Sequence, residues 1–219
     1  MTRSLRLLVA WLPLGAACAR AQRPAPPGPS DTAAATRVDS LRPNAIPVGY
    51  GTLRQDDISL KFQLQGVLVK VMPLDESVIR VLSPDSYRAL RDLLESKRGE
   101  VDRVSARYGL RARDVWYVSF YGLEPQARFT PEDVTITSTG RDYRPLQIIP
   151  LSTGFGEQRL NQREVQSALY VYEDGINVEQ PLTVTVEAQQ NPGWSEALRT
   201  IERERALVRS RAAGAKGTP

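Results

Sequence analysis

The sequence predicts a mainly β fold: an antiparallel β-sandwich with one helical insertion and a C-terminal helix. Three observations predict it. Short apolar runs of period two recur along the chain, parted by turn residues at close intervals. Between residues 84 and 108 the period lengthens to three or four. No strand–helix–strand rhythm runs through the chain, which argues against a doubly wound parallel sheet.

Ile58–Leu64 alternates apolar and polar side chains, the signature of a half-buried strand, and Gln65-Gly66 turns the chain. Val67–Met72 is a second strand rich in β-branched residues, and Val78–Leu82 reads as a short third one. Ser83-Pro84-Asp85 then opens a helix: a capping residue, proline at the first helical position and an acid near the positive end of the dipole. Tyr87, Leu90, Leu94, Val101, Val104 and Tyr108 share one face, and Gly109 ends it. Gly99 leaves open whether this is one helix or two. Strand patterning returns at Val115–Tyr121, Asp133–Thr139, Leu146–Leu151, Arg163–Tyr172 and Pro181–Val186, with Gly140-Arg141-Asp142 and Glu173-Asp174-Gly175 as turns. A last helix over 194–211 carries Trp194, Leu198, Ile201 and Val208 on one stripe. Its Arg199, Arg203, Arg205, Arg209 and Arg211, with Glu202 and Glu204 between them, read as a solvated face; anionic lipid or an acidic partner is the other reading. The domain is expected over 48–211, with 212–219 a disordered tail.

The first residues read as a leader. Arg3 and Arg6 precede an apolar run, Leu7–Ala17, and Ala19-Arg20-Ala21 fits the small-x-small pattern of a signal-peptidase site. A run of that length spans about 16–20 Å as a helix, short of a bilayer core of about 30 Å. Residues 1–21 are therefore expected to be a signal peptide, and the mature chain to lack a transmembrane segment and to reside in the periplasm or cell envelope. Cys18 is the alternative processing point. As a lipidation site it would tether the protein to a membrane, although Gly15 stands where lipoprotein signals carry leucine. Residues 22–47 hold six prolines and no aromatic residue, the composition of a flexible linker.

Composition excludes more than it assigns. The chain has no histidine, and Cys18 is its only cysteine. A Ser-His-Asp triad, a Cys-His dyad and a His-ligated zinc all need side chains that are missing. No cofactor or metal site is expected. Discounting Arg3, Arg6 and Arg20, the 29 basic residues fall to 26 against 25 acidic ones, a balance with no strong pull on a phosphate backbone; nucleic acid is not an expected partner. The acidic couplets Asp56-Asp57, Asp75-Glu76, Glu132-Asp133 and Glu173-Asp174 read first as solvated turns, and secondly as candidates for a two-carboxylate glycan hydrolase. Tyr117 and Tyr121, with Tyr170 and Tyr172, are the candidate interaction surface, for a protein or a glycan.

From Phe129 onward the strand grammar resembles the immunoglobulin-like domains of bacterial secreted proteins and lipoproteins. The residues that carry the resemblance are Phe129–Ile136, Gly140–Pro145, Ala168–Glu173 and Pro181–Val184. The two core cysteines of antibody domains, with a tryptophan between them, are missing. The resemblance implies an interaction or structural module, and it lends no site residues. The expectation is a non-enzymatic envelope protein that works through a protein partner; the alternative is a histidine-free, carboxylate-dependent glycan hydrolase or a carbohydrate-binding module. Mass spectrometry of the mature protein should find Gln22 at its N-terminus. An acylated Cys18 would move the processing point, and a cytosolic chain still carrying Met1 would overturn export.

Overall fold

The computed structural model describes residues 46–216; the expected leader, Cys18, most of the proline-rich stretch and the last three residues lie outside the described residues. The fold is mainly antiparallel β with a C-terminal helix. Its eleven described strands are β1 (Leu60–Leu64), β2 (Val67–Pro73), β3 (Asp114–Gly122), β4 (Ala127–Arg128), β5 (Val134–Ser138), β6 (Arg141–Tyr143), β7 (Gln147–Pro150), β8 (Arg159–Leu160), β9 (Val165–Tyr172), β10 (Leu182–Val186) and β11 (Gln189–Asn191). They form a five-stranded sheet in the order β1-β2-β3-β9-β7, a four-stranded sheet β11-β10-β5-β6 and the small pair β4-β8.

Register decides what each face carries. Trp116 pairs with Tyr170, Val118 with Ala168 and, across the other edge of β3, Val71 and Val69 face Val118 and Phe120. These side chains share one face and are buried. The inward residues of the second sheet, Val134, Ile136, Val184 and Val186, belong to the same apolar cluster. Tyr170 donates its hydroxyl proton to the Pro131 carbonyl at 2.7 Å, and Tyr172 to the Val134 carbonyl at 3.3 Å, tying β9 to the start of β5. On the opposite face Met72, Val115, Ile149, Leu169 and Val171 are buried too, and a helical stripe, Leu90, Val101 and Val104, adds to the core.

That stripe lies on α2 (Pro84–Tyr108), one continuous helix through Gly99 that ends on Gly109 in the left-handed conformation. The short helix before it, α1 (Glu76–Ile79), replaces the third strand expected over Val78–Leu82. Asp75 caps it by accepting from the Ser77 amide at 2.7 Å, and Glu76 pairs with Arg80 one turn on. Val78 and Ile79 are both fully buried, which a helix end permits and an alternating strand face would not. The turn expected over Gly140-Arg141-Asp142 begins one residue earlier. Ser138 faces Arg141, so Thr139 and Gly140, at φ 51° and 80°, form a two-residue turn and Arg141 already begins β6.

The C-terminal helix, α3 (Trp194–Lys216), continues beyond Arg211, and Ala212 is buried, so the expected tail is helical as far as Lys216. Two of its charged residues are not on a solvated face. Arg205 is buried and reaches both Glu179 oxygens at 2.6 and 2.7 Å, Glu202 at 2.5 Å and the Ser77 carbonyl at 2.8 Å. Glu204 is buried and accepts from the Thr52 amide at 2.9 Å, the Thr52 hydroxyl at 2.8 Å and Arg211 at 2.7 Å. Arg211 also donates to the Tyr50 carbonyl. The helix thus clasps the first described segment, in which Ile46 is already buried although it falls within the stretch expected to be linker. The same segment passes close to Val81, whose carbonyl a Cβ at Gly51 would overlap.

Burial alone would raise the Glu204 carboxyl; the bonds from Arg211 and Thr52 outweigh it and hold the group below its ordinary 4.5. Glu179 is lowered as well, chiefly by the bond from Arg205. A depressed folded value gives stability that is complete above pH 4.5 and lost as pH falls through the folded value. Glu204→Gln should cost about 1–3 kcal/mol at neutral pH. It should also shrink the acid loss of stability seen by denaturant titration, part of which Glu179 retains. An acid limb identical in variant and wild type would remove Glu204 from the clasp.

Candidate interaction surface

The five-stranded sheet leaves part of its outer face open. Three residues lie abreast across it, Leu68 on β2, Tyr121 on β3 and Val165 on β9. Lys70, Ser119 and Ser167 form the next row, and Met72, Tyr117 and Leu169 the one after. Neighbours in a row stand about 5 Å apart, and rows follow at about 7 Å. The third row is closed: Met72 and Leu169 are buried, and Tyr117 packs against the core. The first row is not, for Val165 is 52% exposed and Leu68 and Tyr121 are half-buried. At the β1 rim, Lys70 and Lys61 meet Asp56 at 2.7 and 3.4 Å. The Lys70 bond holds the Asp56 carboxyl below its ordinary value. The face is apolar at one end, hydroxylic in the middle and cationic at one rim.

The four tyrosines read from the sequence do not form one surface. Tyr117 and Tyr121 share the outer face, about 13 Å apart along β3, Tyr117 in its closed row and Tyr121 in its open one. Tyr170 and Tyr172 lie on the other face, fully buried, with hydroxyls committed to backbone carbonyls. Burial pushes both phenols far up. The reason is position: β9 is covered on both sides, so its tyrosines are core residues with a polar tip. Leu68 and Val165 were missed. Lys70 was the signal for the first, because it marks the solvent side of β2 and Leu68 shares that side. Alternation through Ala168, Tyr170 and Tyr172 was the signal for the second, since it turns Val165 the other way.

A second concavity, a groove of about 540 Å³, lies along β7 and includes Glu132, Arg144, Gln147, Ile148, Pro150 and Phe155 in its wall. Glu132 is the one carboxylate in that wall, whereas hydrolysis by paired acids needs two facing each other. Most of the acidic couplets serve local structure. Asp57 caps the Arg54 amide, Asp75 caps α1, Glu76 holds Arg80 and Arg91, Glu173 pairs with Arg141, and Asp174 accepts from the Arg111 and Ala112 amides. Asp114, beside Asp174, is raised, first by burial. Among the described residues no three acidic or thiol side chains gather in a metal-binding group, and no helix is long and apolar enough to cross a membrane.

No family model, curated protein or solved structure matches the chain.

The tyrosines should separate by stability. Tyr170→Phe strands the Pro131 carbonyl and should cost about 1–3 kcal/mol in denaturant unfolding. Tyr121→Ser, on the open face, should cost less than about 1 kcal/mol. Equal costs would mean that Tyr121 is a core residue.

Proposed function

We propose that this protein is a non-enzymatic, exported component of the cell envelope whose domain is an immunoglobulin-like sandwich with α2 as its helical insertion. It acts by binding a protein partner on the open sheet face. The observation that carries this reading is the row Leu68–Tyr121–Val165, an apolar strip on a flat sheet beside hydroxyl and lysine side chains. Apolar and aromatic contacts within a polar rim are the anatomy of a protein interface. The two tyrosine hydroxyls that tie β9 to β5 support the sandwich reading.

The test places a photo-crosslinking residue at Tyr121 or Val165 in cells, with Tyr108 on α2 as the exposed control. The reading expects a protein adduct from the first two positions and none from the third, and expects Val165→Asp to weaken capture at least tenfold. Adducts from all three positions alike would overturn it. So would retention on immobilised glycan that Tyr121→Ser abolishes, which would make the face a carbohydrate site. Turnover of a glycan would overturn the non-enzymatic assignment.

A further inference from the structure

We infer that the outer face of α3 lies on membrane surfaces rich in anionic phospholipid. The buried side of the helix is Trp194, Ala197, Ile201, Glu204, Arg205, Val208 and Ala212. At 100° per residue the opposite stripe is Arg199, Arg203, Ala206, Leu207, Ser210 and Gly214, with the exposed Arg209 on the flank between Glu202 and the buried Arg205. All of these are exposed, Leu207 to 45%. The arginines divide by face. Arg205 and Arg211 are engaged with Glu179, Glu202 and Glu204. Arg199, Arg203 and Arg209 have no acidic partner among the described residues. Glu196 lies on that side too, and Glu202 on its flank, where it shares Arg205 with Glu179. The remaining outward residues are mainly small, so the helix can approach a flat surface along its length, with Leu207 as an apolar contact.

On its inward side α3 holds Tyr50 and Thr52 through Arg211 and Glu204, which leaves the outward stripe uncovered by that segment. Unpaired arginines beside exposed apolar side chains are what an anionic interface attracts. The surface is distinct from the tyrosine face.

The full chain is mixed with vesicles of phosphatidylcholine alone and of phosphatidylcholine with equal phosphatidylglycerol, and binding is read by co-sedimentation. The leader is common to all variants, so the ratio of anionic to neutral binding is the readout. Wild type should favour anionic vesicles, and raised salt should erase the preference. Each arginine near such a surface contributes roughly fivefold, so R199E/R203E/R209E should lower the ratio by about a hundredfold or more. R103E/R107E/R128E, with the same change in net charge elsewhere, should keep it, as should Tyr121→Ser. No preference in wild type would overturn the inference. Equal loss in both triple variants would reduce it to net charge and overturn it too. Capture by polyglutamate without vesicle binding would assign the face to an acidic protein instead.

Discussion

The structure depends on one strand that is buried on both sides. From Ala168 to Tyr172 every side chain of β9 is fully buried, Tyr170 and Tyr172 on the side of the second sheet and Leu169 and Val171 on the other. Two large tyrosines on such a strand create an obligation. A phenol hydroxyl inside a dry core must find an acceptor, and leaving one unpaired costs on the order of 1–3 kcal/mol. Tyr170 and Tyr172 meet it on the carbonyls of Pro131 and Val134. That solution fixes where β5 starts, and β5 carries β10 and β6 by register. Trp116, paired with Tyr170 on β3, extends the constraint: its ring meets Tyr172 at 6.4 Å and Trp194 at 6.1 Å, so the first turn of α3 is set by the same aromatic group.

Legibility in the sequence followed the range of the forces involved. Ser83-Pro84 and Gly109 marked α2 because caps are local chemistry. The alternation of Trp116, Val118 and Phe120 marked the inner face of β3 because strand period is local geometry. Val78–Leu82 failed as a strand because its apolar content is compatible with either period; the Asp75 cap and the Glu76–Arg80 pair decide it. Tyr170 and Tyr172 failed as surface residues because their burial depends on β9 being the interior strand of its sheet, a matter of strand order that no local pattern carries. Glu204 and Arg205 failed as solvated residues for a related reason. Their partners Thr52 and Glu179 lie far away in sequence, and only the folded chain brings them together. The open face was half legible: Tyr117 and Tyr121 were placed on it by alternation, but its most exposed member, Val165, acquires meaning only from the register with Tyr121.

The clasp and the open face use opposite kinds of interaction. Around Arg205 a buried guanidinium is met by two half-exposed carboxylates and the Ser77 carbonyl, which ties it to one geometry. Around Tyr121 the groups are half-hydrated, with hydroxyl and apolar surface side by side and no internal partner required. The clasp joins α3 to the first described segment, while one end of the outer sheet face keeps apolar side chains in water.

If a partner binds as proposed, the sheet edges leave it the face rather than strand addition. An exposed edge strand normally invites another chain to pair with it. At β7 the Leu151 amide donates to Ser167, so alternation puts Ile149 in the bonded register with Leu169 and turns Ile148 and Pro150 outward. Pro150 has no amide proton to offer, and the Gln147 side chain already donates to the Ile148 carbonyl at 3.1 Å. At the other edge the Asn191 amide occupies the Lys61 carbonyl. With both margins of the large sheet blunted by side chains of the same domain, a partner gains little backbone pairing there. The apolar row on the face offers what the edges do not: surface whose burial releases water without displacing an existing bond.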